Sequence, residues 1–91
     1  MINPAPLDFR LVEKLRRQML LNVSEMTALL GISRMSYYGW VKGKPIRKTN
    51  DARVRRTLKR LLFVLSEHHW PSPEVLAMTS KDRFAKLQQL M

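Results

Sequence analysis

Residues 31–44 read GISRMSYYGWVKGK, and their reading decides the fold. Gly31 suits a left-handed residue closing one helix, and Ser33 suits the cap of the next. The spacing predicts a short helix over Arg34 to Val41, broken by Lys42-Gly43-Lys44-Pro45. Helical periodicity sorts its aromatics onto two faces. Tyr37 and Trp40 lie three apart and share a face with Val41, an arrangement that favours burial against Met26, Leu30 and Ile32. Arg34, Met35, Tyr38 and Gly39 form the other face. Gly39 weakens a helix by roughly 1 kcal/mol relative to alanine. Either a partner must approach its backbone closely, or a side chain there would clash with the preceding helix or prolong the helix too far.

Working outward, Asn22 to Glu25 reads N-x-x-E, a variant of the capping box, and opens a helix ending at Leu30. Asp8 can cap a first helix over Phe9 to Leu20, with Val12, Leu15 and Met19 on one face. Downstream, Asn50 is a candidate cap for a fourth helix. Its Val54, Leu58, Leu61, Leu62 and Leu65 have the spacing of a buried stripe. Arg53, Arg55, Arg56, Lys59 and Arg60 wrap around the rest of it and cannot all face one partner. Ser72 and Pro73 fit the cap and first position of a fifth helix. Thr79 to Asp82 repeats a capping pattern before a last helix carrying Phe84, Leu87 and Leu90. No convincing strand is present. The expected architecture is all-α, a compact five- to six-helix domain.

The 91-residue chain is 45% hydrophobic and 26% charged, which places it among globular single domains. It has no cysteine, which excludes thiolate zinc modules and thiol nucleophiles. Its longest purely apolar run, Leu61 to Leu65, is far short of the about 18 residues of a membrane span. The N-terminal MINPAP lacks the pattern of a signal peptide, so a cytoplasmic location is expected. Net charge is +10, and it is focused. Residues 34–60 hold ten Lys and Arg against Asp51 alone, whereas residues 61–91 balance three against three. A polyanion is the natural partner of such a patch.

Two short helices around a Gly-x-Ser turn, in a basic all-helical chain, imply a helix-turn-helix. Residues 9–65, through LRRQMLLNVSEMTALLGISRMSYYGWVKGK and the following helix, resemble the DNA-binding domain of the phage repressor/Cro family, also called the xenobiotic-response-element type. The resemblance rests on the register of a whole set of features. These are a first helix with Leu and Arg, a polar cap, a second helix ending in Leu-Gly, a Ser cap and a basic-Gly-basic exit. It implies a sequence-specific double-stranded DNA-binding regulator, a repressor of phage or mobile-element type. It further implies an arm over residues 1–8, a helix-turn-helix domain over 9–65 and a helical extension over 66–91.

On that resemblance Arg34, Met35, Tyr38 and Gly39 enter the major groove, Arg34 being suited to guanine O6 and N7. Val23, Ser24, Ser33, Ser36, Lys42, Lys44, Arg47 and Lys48 are candidates for phosphate contacts, the first two through free amides at a helix N-terminus. The family binds as twofold dimers, and Phe84, Leu87 and Leu90 offer a contact for a homodimer; the alternative is that this segment completes its own core. Two other readings fit the residues. An excisionase- or MerR-like winged helix-turn-helix also follows such a turn with an aromatic helix, but continues into a β wing. A small antitoxin-like module could instead bind a host or partner protein through Val75, Leu76, Met78 and the last helix. No enzyme, cofactor, metal or membrane partner is expected, since adjacent His68 and His69 diverge on a helix and no catalytic pair is present.

Overall fold

A computed structural model describes residues 7–91, so most of the expected N-terminal arm, residues 1–6, lies outside the described residues. Six helices follow in order: α1 (Phe9–Gln18), α2 (Val23–Leu30), α3 (Arg34–Val41), α4 (Lys48–Glu67), α5 (Pro73–Leu76) and α6 (Ser80–Leu90). No strand occurs among the described residues, so the winged reading has no wing to carry it.

Local chemistry sets most of the boundaries. Asn22 Oδ1 accepts from the Glu25 amide at 2.8 Å, and Glu25 Oε1 accepts from the Asn22 amide at 2.9 Å. This reciprocal pair satisfies two amides that a helix start would leave orphaned. Gly31 closes α2 at φ 70, a left-handed conformation that costs a glycine nothing. Its own amide bonds to Ala28 and that of Ile32 bonds to Thr27. The side chains of Asp8, Ser33, Ser72 and Thr79 cap α1, α3, α5 and α6.

Two boundaries differ from expectation. α1 stops at Gln18, and Leu20 takes a φ of 62 although it is not glycine. The Leu20 and Leu21 amides fold back onto the carbonyls of Arg17 and Arg16, and Arg16 Nη1 donates to the Leu21 carbonyl at 2.6 Å. That turn lets both Met19 and Leu21 enter the core. α4 starts at Lys48, with Arg47 in the capping position and no side-chain cap. Asn50 lies inside the helix, where its Oδ1 accepts from Arg53 Nη2 at 3.1 Å.

One core runs through the molecule. Phe9, Val12, Leu15, Met19, Leu21, Met26, Leu30, Tyr37, Val54, Leu61 and Val64 are buried together with Trp70, Val75 and Leu87 from the C-terminal third. Trp70 Nε1 donates to the Met19 carbonyl at 2.9 Å, tying the returning chain to the end of α1 across 51 positions. The buried arc of α4 therefore takes in Val64, while Leu62, expected in the stripe, is half-exposed.

The same packing removes Leu87 from the dimer contact expected at Phe84, Leu87 and Leu90. Leu87 is wholly buried in this chain's own core, and Phe84 and Leu90 are half-buried against it. Apolar area stabilises by about 25 cal/mol per Å² wherever it leaves water. A helix connected by a short loop reaches the home core first. Residues 66–91 thus complete the core of 9–65 instead of standing apart from it.

Candidate nucleic-acid interface

α3 is short, so its attachment decides what it can present. Tyr37 anchors it. Its ring is wholly buried, edge-on to Phe9 at 5.9 Å, and its Oη donates to Glu13 Oε2 at 2.5 Å. Glu13 also accepts from Arg16 Nε at 3.0 Å and faces Arg17 Nε at 3.8 Å. The Arg16 hydrogen bonds, aided by that of Tyr37, hold the Glu13 carboxyl down to about 2. Burial, and then the Glu13 carboxylate it bonds, push the Tyr37 phenol well above its ordinary range. The pair is therefore a neutral phenol donating to a carboxylate across the pH range of a cell. Trp40 is half-buried and packs against Phe9, centroids 5.1 Å apart. The inward aromatics of α3 accordingly rest on α1 through Phe9 and Glu13. Helical periodicity pointed only to partners on α2 and its turn.

With Tyr37 inward, the opposite face is free. Met35 is 84% exposed and Tyr38 49%, and Arg34 is exposed beside them. A thioether and a phenol left in water at these positions represent apolar surface the monomer does not use. Gly39 behaves differently from the expectation of an open approach. The three atoms nearest a Cβ built there all belong to the stem of Lys44, with Cδ at 3.2 Å. The Lys44 amide also bonds to the Gly39 carbonyl, and the Gly43 amide to that of Trp40. This double closure ends α3, Gly43 taking a φ of 103, and lays the Lys44 stem across Gly39. Within this chain a side chain at Gly39 would meet the Lys44 stem and nothing from α2.

The candidate phosphate contacts divide. Lys42, Lys44, Arg47 and Lys48 are exposed and pair with no acid among the described residues. Two of them open α4, Arg47 in its capping position and Lys48 as its first residue, and no side chain caps its first amides. Ser33 and Ser36 are committed to each other: Ser33 Oγ accepts from the Ser36 amide and donates to Ser36 Oγ, both at 3.0 Å. Ser36 keeps its own hydroxyl hydrogen to give. Val23 and Ser24 sit in the first turn of α2, ahead of its first intrahelical donor, Met26. The Glu25 carboxylate occupies that same helix end and opposes an incoming anion there.

Arg53, one of the wrapping cations of α4, is aimed more specifically than its helical position implied. Its guanidinium lies over Gly31, at the α2–α3 turn, held by Asn50. Arg55 is paired with Asp51 at 2.5 Å, and Arg83 donates to the carbonyls of Val75 and Met78, so neither is a spare surface charge. No group of three or more metal-ligating side chains is gathered among the described residues. No helix among them is long and apolar enough to cross a membrane. Comparison with known proteins finds no matching family model, no matching curated protein and no matching solved structure.

Proposed function

We propose that this chain is a sequence-specific double-stranded DNA-binding regulator, a repressor of the phage or mobile-element kind, with α3 as its reading helix. The observation that carries this reading is the two-faced α3. Its inner face is fixed by the buried Tyr37 ring and its part-buried hydrogen bond to Glu13, while Arg34, Met35 and Tyr38 project from the other into solvent. A rigid helix with an exposed first-turn arginine is what base reading in a major groove needs. Lys42, Lys44, Arg47 and Lys48, exposed and without an acidic partner among the described residues, follow directly, as a grip on phosphates requires. A helix of eight residues reads only a few base pairs, so binding as a homodimer to paired half-sites belongs to the proposal. Its contact excludes Leu87; Phe63, Leu90 and Met91 line the remaining apolar cleft at the C-terminal end.

Selection of bound sequences from random duplex DNA tests this directly. A reproducible motif with twofold symmetry, and affinity that falls steeply with salt, is the expected result. Absence of any enriched motif at low salt refutes it.

One observation favours a second reading, a module that binds a partner protein. Leu11 and Leu62, both more than half exposed, line one trough between α1 and α4. Binding there would depend little on salt, which separates the two readings.

A further inference from the structure

A cleft of about 570 Å³ opens between the start of α1 and the loop leaving α3. Its apolar wall is made by Leu7, Phe9, Trp40, Val41 and Ile46. Arg10, Lys42 and Lys44 also line it. The single acid, Asp8, is engaged by Arg10, whose Nε lies 3.3 Å from its Oδ1 and holds its carboxyl below the ordinary range. Lys42 and Lys44 therefore line the cleft without an ion-pair partner among the described residues. The volume lies within the range of small-molecule sites, about 300–1,000 Å³. A lining that combines Phe9 and Trp40 with two lysines unpaired among the described residues suits a flat apolar body bearing one negative group. A neutral ring would leave the lysines unused, and a bare inorganic anion would leave the wall unused.

We infer that this cleft binds a small aromatic carboxylate, with its ring against Trp40 and its carboxylate between Lys42 and Lys44. Because those lysines also belong to the proposed phosphate grip, occupancy withdraws them from DNA. This coupling rests on the DNA-binding reading; the cleft itself does not.

The test uses the full chain and 1-naphthoate as probe, with 1-naphthalenemethanol as its uncharged counterpart. Amide and indole NMR shifts report the location. Naphthoate should move the Trp40 indole and the Gly43 amide and leave the Trp70 indole in place. The alcohol should bind about fivefold or more weakly, and so should naphthoate to the K42Q/K44Q double variant, as loss of about 1 kcal/mol implies. Both lysines are exposed, so the variant keeps the fold. Equal binding of acid and alcohol, or shifts confined to the Leu11–Leu62 trough, overturns the inference. Saturating naphthoate should also weaken duplex binding severalfold; unchanged duplex affinity with the cleft filled overturns the coupling. A protein that takes naphthoate and no duplex at all leaves the cleft standing and defeats the DNA reading instead.

Discussion

Glu13→Gln is the most informative single change, because Glu13 joins α3 to α1. The carboxylate accepts from Tyr37 and Arg16, and its side chain is 21% exposed. Its proton affinity falls from an ordinary 4.5 to about 2 on folding. A carboxyl depressed in this way stabilises the folded state above its unfolded value. That contribution is lost as pH falls from about 4.5 through about 2. At 1.36 kcal/mol per unit, the full shift corresponds to about 3 kcal/mol, and solvent screening at a partly open site lowers this to about 1–2 kcal/mol. Against a total of about 5–10 kcal/mol for a domain of this size, that is a large share. Glutamine keeps the shape and one acceptor but not the charge, so E13Q should lose about 1–2 kcal/mol at pH 7. Its stability should then converge on that of the parent toward about pH 2. Urea unfolding followed by helical circular dichroism, at steps between about pH 7 and about pH 2.5, measures both curves. The other acids contribute equally to parent and variant, so the difference isolates Glu13. Parallel curves, with a constant gap throughout that range, would refute the electrostatic account and reduce Glu13 to a packing residue.

Further outcomes are expected. Replacing Lys42, Lys44 and Arg47 by alanine should weaken binding to all duplexes alike and lower the salt slope by about 1 for each phosphate no longer neutralised; binding titrations across salt concentrations check it. Arg34→Ala should relax preference at one base pair, worth about 1–3 kcal/mol, and repeating the duplex selection on the variant shows whether the motif changes. Gly39→Ala should shift stability by less than about 1 kcal/mol, since the new methyl meets only the flexible Lys44 stem. Gly31→Ala, forced into a left-handed conformation, should cost about 1 kcal/mol or more, and thermal melts of the pair compare them. Leu87→Ala should destabilise the monomer by about 2–5 kcal/mol without a concentration dependence in its melting, as expected of a core residue and not of a dimer contact.

Some of this protein was determined by sequence alone, and the parts that were share a physical cause. Asn22 with Glu25, Ser33 with Ser36, Ser72 with Val75 and Thr79 with Asp82 are caps whose partners lie three residues away. Such bonds form or fail within one turn of chain, so the residues that make them can be read in place. The left-handed Gly31 and the all-α class follow from the same local rules. So does the division of α3 into faces, because 3.6-residue periodicity alone puts Tyr37 and Trp40 together and Arg34, Met35 and Tyr38 elsewhere. Only the tertiary structure decided what each face meets. Periodicity makes α6 amphipathic without saying whether Leu87 is covered by a second chain or by its own, and the returning chain settled it. The swap of Leu62 for Val64 on α4, the Trp70 bond to Met19 and the link of Tyr37 to Glu13 across 24 positions likewise depend on contacts between distant segments. Gly39 stands between the two cases. Its neighbour lies only five residues ahead, but a backbone closure folds that lysine stem onto it, and no residue pattern announces where a flexible side chain comes to rest.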